Sequence, residues 1–214
     1  MSAKKVIIFD FDGTLADSAP IIRAIYTEIA IKNKLTVLTD ENYQLLRQGS
    51  LRDARKWSGV RFWQLPLLLR SMRRLMKLES EKVQLFPGVV KMIQDLSETD
   101  HELYILSRNT ADTIIHVLER YDLQDNLQIL DRRRRSFGSK ASVIRMLLRS
   151  KRYKPETVWM IGDEVRDIRA ANQAGVNSIA VTWGFQDTSI LERYRPTKIV
   201  NNVSQLHKML RGGD

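Results

Sequence analysis

The sequence predicts an α/β protein, a doubly wound parallel sheet with an inserted all-helical cap. Three observations carry that prediction. Short apolar runs recur with turn residues or carboxylates at their C-terminal ends, which is the pattern of strands buried in a parallel sheet. Between them lie stretches with apolar residues three or four apart, the spacing of helices that bury one face. From about Asp17 to Pro87 the alternation stops, and helical patterns follow one another without a convincing strand. The core is therefore expected over residues 1–16 and 87–214, with the helical cap over 17–86.

Taken in order, the expected strands are Lys5 to Phe9, Glu102 to Leu106, Leu127 to Leu130, Thr157 to Ile161, Ser178 to Thr182 and Lys198 to Val200. In the insert, Ile21, Ile25 and Ile29 repeat at helical spacing beside Ile22, Tyr26 and Ala30. Its last helix carries Leu65, Leu68, Leu69, Met72, Leu75 and Met76 on one side, with Arg70, Arg73, Arg74 and Lys77 largely on another. Such a Leu and Met stripe reads as core packing. After the second strand comes a helix with Ile114, Ile115, Leu118 and Tyr121, and Ser139 is placed to cap another with Val143, Ile144, Leu147 and Leu148. The helix after Asp163 runs through Ile168, Ala171 and Ala174 and stops at Gly175, a good C-terminal cap residue.

Composition narrows the function. The 214 residues are 43% hydrophobic, enough for a core and too apolar for a disordered chain. With no cysteine there is no disulfide framework, thiolate metal site or cysteine nucleophile. Thirty-five Lys and Arg against twenty-five Asp and Glu give a net charge of +10, which favours anionic partners such as phosphates, acidic metabolites or nucleic acid. The run Val6 to Phe9 is stopped by Asp10 and Asp12 before it reaches the length of a signal-peptide core, and no apolar stretch approaches a membrane span. A cytoplasmic protein without membrane association is expected, as a monomer or weak dimer.

In an open parallel sheet, ligands bind at the C-terminal ends of the strands. There the first strand offers Asp10-Phe11-Asp12-Gly13-Thr14, the second Ser107-Arg108-Asn109, and the fourth Gly162-Asp163-Glu164-Val165-Arg166-Asp167, while Lys140 opens the helix after the third. Converging carboxylates repel, and a hard divalent cation, most simply Mg²⁺, relieves the repulsion. Mg²⁺ keeps room for a phosphate oxygen, so a phosphate ester is the natural second guest, with Ser107 and Lys140 available for its remaining oxygens. Each piece alone is ordinary loop chemistry; the ordered set is not.

Phe9 to Ser18, the helical insert, Leu106-Ser107-Arg108-Asn109, Lys140 and Gly162 to Asp167 together closely resemble the haloacid dehalogenase superfamily. Ala170 to Gly175 and Thr182-Trp183-Gly184-Phe185 resemble its phosphoglycolate phosphatase-like branch, whose helical cap follows the first strand. The resemblance implies a Rossmann-like core and a phosphatase in which Asp10 is the nucleophile, giving an aspartyl-phosphate, and Asp12 the general acid and base. It also implies a Mg²⁺ site made by Asp10, the Asp12 carbonyl and Asp163, with Asp167 or Glu164 ligating directly or through water. An acid at position 12 points to phosphomonoesters, since the phosphonate- and halide-cleaving branches lack one. Thr14 supports the first loop or meets substrate, and Arg108 and Asn109 are expected to meet substrate. The family's usual Lys-Pro pair is replaced by Lys140-Ala141, and Lys140 is preferred over Lys151 and Lys154 because it alone lies just before a helix in the right interval.

Arg47-Gln48-Gly49-Ser50-Leu51-Arg52 resembles the cap loop that reads substrate, with Arg47 or Arg52 meeting a carboxylate or second phosphate; the same residues also read as a surface turn. Arg132 to Arg135 is either a solvated run or an anion funnel beside the site. The expected partner is a small anionic phosphorylated metabolite. A sugar phosphomutase of the same superfamily, a nucleic-acid-binding protein and a phosphatase of nucleic-acid ends are the alternatives.

Overall fold

The computed structural model describes residues 4–49, 58–130 and 139–212. Its organising element is β1 (Val6–Phe9), in which all four residues are buried. A strand alternates its side chains between two faces, so β1 feeds two cores. Ile7 and Phe9 belong to one, Val6 and Ile8 to the other. That requires cover on both sides of the sheet, which is why the strands beside β1 are also mostly apolar and buried.

The sheet holds β1 with β4 (Glu102–Ile105), β5 (Gln128–Ile129), β6 (Val158–Gly162), β7 (Asn177–Val181) and β8 (Lys198–Val200). Its order is β5-β4-β1-β6-β7-β8, with every pairing parallel. The chain winds outward from β1 through β4 to β5, then returns to the other side of β1 for β6 to β8. The two windings diverge at the C-terminal end of β1, the place where open α/β sheets bind ligands. All six strands expected from the apolar runs are present, with ends that agree within one residue.

On the first face lie α4 (Val89–Ser97), α5 (Ala111–Glu119) and α9 (Val203–Leu210), which bring Met92, Ile93, Ile114 and Leu206 against Ile7 and Phe9. On the second lie α6 (Lys140–Lys151) and α7 (Val165–Ala174), contributing Ala141, Ile144, Leu147, Ala170 and Ala171. The hydroxyl of Ser139 caps α6 by accepting from the Ser142 N–H, and Gly175 ends α7 at φ +73°. A short α8 (Thr188–Arg193) precedes β8.

Between β1 and α4 the chain forms α1 (Ala19–Lys32), α2 (Asp40–Gln48) and α3 (Leu65–Leu78). Ile25 and Ile29 of α1 and Met76 of α3 join the first core, with Leu68, Met72 and Leu75 packed against it. Two sequence expectations fail here. The segment is not wholly helical: β3 (Gln84–Leu85) pairs antiparallel with β2 (Ala16–Asp17) where the chain leaves and re-enters the sheet layer. Two residues are too few to show an alternating pattern. Leu69, expected on the apolar side of α3, is 42% exposed, because the stripe that meets α1 is narrower than the run of leucines.

Candidate active site

Beyond β1 the backbone continues its pairing through the Asp10 N–H, which donates to the Ile161 carbonyl at 2.8 Å, and then folds tightly. The N–H groups of Leu15 and Ala16 both donate to the Phe11 carbonyl, and Phe11 is fully buried. Gly13 takes φ +77°, and a Cβ there would lie 2.2 Å from Asp163 Oδ2. Gly162 leaves room in the same way, since a Cβ would stand 2.3 Å from Asp167 Oδ2. These two positions let two loops close around carboxylates.

Asp10, Asp163 and Asp167 are buried, and one carboxylate oxygen from each lies within 4.8 Å of the others. Asp10 Oδ1 accepts from the Phe11 N–H at 2.8 Å. Asp10 Oδ2 is 2.6 Å from Lys140 Nζ and 3.8 Å from an Arg166 nitrogen. The ammonium of Lys140 donates to Asp167 Oδ1 at 2.6 Å, so a buried cation stands between two buried anions. Asp163 is held from both sides, by the Thr14 hydroxyl at 2.8 Å and by the Phe185 N–H at 2.8 Å. Thr14 is therefore behind the cluster, 1% exposed, rather than in an open position facing substrate.

The Asp12 carboxylate stands outside that group of three and accepts from the Asn109 amide at 3.2 and 3.4 Å. The Asn109 N–H donates to the Ser107 hydroxyl, which is nearly buried, and Arg108 is exposed beside them. Arg47, at the end of α2, donates from Nε to the Phe185 carbonyl at 3.2 Å, and its own carbonyl accepts from the Asp187 N–H. Asp10, Asp12, Ser107, Asn109, Lys140, Asp163 and Asp167 are thus brought to one edge of the sheet, while Arg47 touches the loop behind it. Arg52 and Arg132 to Arg135 lie outside the described residues.

The charges explain the protonation tendencies. Burial acts to raise Asp10, but Lys140 and Arg166 outweigh it and hold the carboxyl below its ordinary value. Burial pushes Asp12 up to about 6, aided by the Asp10 charge. Burial lifts Asp163 well above its usual range, helped by Glu164, Asp10 and Asp167. Glu164 is pushed up to about 7 by burial, against the pull of Arg166 at 2.7 Å. Four carboxylates, Asp10, Asp163, Glu164 and Asp167, face two cations, Lys140 and Arg166. More carboxylate groups than cations, with three buried carboxylate oxygens within 4.8 Å of one another, is a donor set that fits a hard divalent cation.

Two parts of the site escaped the sequence reading. Arg166 sits in the first turn of α7, where the helix dipole disfavours a cation, and that mismatch was the available signal. The Phe185 N–H acts through the backbone, so its side chain gave no hint of it.

The pattern that defines haloacid dehalogenase-like hydrolases matches residues 7–181. The chain belongs to this family. As a haloacid dehalogenase-like hydrolase it is 34% identical over 202 residues to a phosphoglycolate phosphatase of Synechococcus elongatus, covering 94% of this chain and 95% of that protein. It is 22% identical over 205 residues to the pyrophosphatase PpaX of Oceanobacillus iheyensis, covering 94% of each. A haloacid dehalogenase-like family hydrolase from Streptococcus pneumoniae superposes with a TM-score of 0.80 at 24% identity, over 96% of this chain and 98% of that one, a likeness of fold. Among the described residues no helix is long and apolar enough to cross a membrane.

Proposed function

We propose that the protein is a Mg²⁺-dependent phosphatase of a small phosphomonoester, working through an aspartyl-phosphate on Asp10. The observation that carries this reading is the setting of Asp10, a buried carboxylate 2.6 Å from the Lys140 ammonium and grouped within 4.8 Å with oxygens of Asp163 and Asp167. Asp10 attacks phosphorus, the ester P–O bond breaks, and the departing oxygen takes its electron pair and a proton from Asp12. Water then gives a proton back to Asp12 and attacks the same phosphorus, which breaks the Asp10 O–P bond and frees phosphate. Asp10, the Asp12 carbonyl and Asp163 would hold Mg²⁺, with Asp167 beside them. When bound, the cation supplies the positive charge that lets an anionic nucleophile approach an anionic phosphate. Lys140 adds charge next to the attacking oxygen, and Ser107 and Asn109 line the opposite wall.

Residues 17–86 serve as the cap in this reading. A cleft of about 810 Å³ opens between α1 and α2, lined by Asp17, Arg23, Thr27, Glu28 and Tyr43. Its size suits a small metabolite. Arg23, which lines the cleft and pairs with Asp40, and Arg47, bonded to the Phe185 carbonyl, are the cations that would meet the end of the substrate away from the phosphate. Similarity to a phosphoglycolate phosphatase over most of both chains makes a short acidic phosphoester the first substrate to try.

A panel of phosphorylated metabolites, assayed for free phosphate with Mg²⁺ and with chelator, tests the reading. Parent protein should release phosphate only with the metal, and Asp10→Asn should lose roughly 10⁴-fold or more in kcat. Undiminished turnover by that variant would remove Asp10 as nucleophile. Phosphoryl transfer to a second sugar without free phosphate would make the protein a phosphomutase.

A further inference from the structure

Outside the catalytic edge, the most unusual surface is the outer side of the insert. Residues 61–78 contain five Lys and Arg and no Asp or Glu. Arg70, Arg73, Arg74 and Lys77 recur at spacings of three and four, so all four stand on the exposed face of α3. Among the described residues their only ion pair within 4 Å is a loose one, from Lys77 to Asp112 at 3.7 Å. Leu67 and Leu78 share that face at 68% and 65% exposure. Just ahead of α3, in the turn Phe62–Gln64, Phe62 and Trp63 are 75% and 69% exposed, with the Arg61 guanidinium 5.5 Å from the Trp63 ring centroid.

Five cations interleaved with exposed apolar side chains along about 20 Å of helix form a straight contact surface rather than a pocket. We propose that this face docks on an anionic membrane surface, with Phe62 and Trp63 entering the headgroup region and the arginine stripe lying over acidic lipids. The charge of the stripe calls for an anionic partner. The leucines select among such partners. Aliphatic side chains gain from an acyl boundary, whereas nucleic acid rewards π-faces and hydroxyl or amide donors. Along the helix the exposed face offers leucines and cations, the two aromatic rings being confined to the turn at its N-terminal tip, while Gln64 and Ser71 are half-buried. A second copy of the chain would set like charges against each other. The apolar side of α3 is already occupied by α1, so the attachment is peripheral, made by a tip and a charged flank.

The test is flotation of the whole protein with vesicles of phosphatidylcholine alone and of phosphatidylcholine with phosphatidylglycerol. Binding is expected only to the anionic vesicles, weakening as salt rises. The double variant Arg70→Glu/Arg74→Glu should lose on the order of tenfold or more in partitioning, and Phe62→Ser/Trp63→Ser should fall several-fold. Both should keep the parent's melting temperature, since all four side chains are exposed. Absence of flotation, or equal flotation by the charge-reversed variant, overturns the proposal. So does displacement from vesicles by single-stranded RNA that binds without regard to Phe62 and Trp63. The measurement does not involve phosphate release, so its outcome is independent of the catalytic reading.

Discussion

At the C-terminal edge of the sheet, Asp10, Asp163, Asp167 and Lys140 are buried, and each has a charged or hydrogen-bonding partner at 2.6 to 2.8 Å. On the outer face of α3, Arg70, Arg73 and Arg74 stand in water and, among the described residues, take part in no ion pair within 4 Å. The same kinds of charge have different consequences in the two places. In the sheet edge each charge alters its neighbour's protonation, because little solvent screens it. On α3 solvent and salt screen the charges, so they act on fold stability weakly and on a large anionic partner collectively. Buried charge here is coupled to its neighbours, and exposed charge is left to the solvent.

Removing one partner from the buried edge should produce the largest change in stability. Lys140→Met leaves Asp10 and Asp167 facing each other without their shared cation, which should cost about 3–5 kcal/mol in the presence of chelator. Mg²⁺ should restore part of that loss if it occupies the carboxylate cluster. Urea unfolding with and without the metal measures both numbers, and equal midpoints for parent and variant in chelator would contradict the contrast.

An intermediate case lies at the opposite end of β4. Glu102 accepts from Tyr104 at 2.9 Å, from Tyr153, and from Lys4 at 3.0 Å, in a partly buried cluster. Burial acts to raise Glu102, but these donors together hold it below its ordinary value. A carboxylate lowered in the folded state contributes stability above its unfolded value of about 4.3, and that contribution disappears as pH falls through the folded value. Tyr153→Phe should therefore cost about 1 kcal/mol at neutral pH and flatten the acid limb of the stability curve. Thermal melts from neutral to acidic pH would show whether parent and variant converge at the acid end.

The smallest effect is expected on the exposed side. Arg73→Ala should change unfolding free energy by less than about 0.5 kcal/mol, read as an unmoved urea midpoint. A larger shift would mean that the stripe is bound into the fold rather than left in water.

How much of this could be read beforehand follows from the same contrast. The four central strands were legible because they are apolar runs buried for most of their length, the edge strands β5 and β8 only as short stretches with exposed residues, and Asp10, Asp12 and Asp163 because they stand at the ends of such runs, with Asp167 one helical turn further on. The pairing of Ala16–Asp17 with Gln84–Leu85 had too few residues to show a period. Backbone donors such as the Phe185 N–H leave no mark on residue type. Arg166 was visible within its segment, but its 2.7 Å pairing with Glu164 depends on a helix turn that places both at one mouth.

Gln186 sits where these regions touch. Its side-chain oxygen accepts from the Val165 N–H at the start of α7, and its nitrogen donates to the Gly49 carbonyl beyond α2. Two residues earlier Gly184 packs on Asp163, and its neighbour Phe185 receives Arg47. One short loop thus touches both the buried carboxylate cluster and the helices of the insert. A kineticist who finds metal requirement and substrate saturation drifting in step after a change here has met a single hinge-pin, not two separate defects.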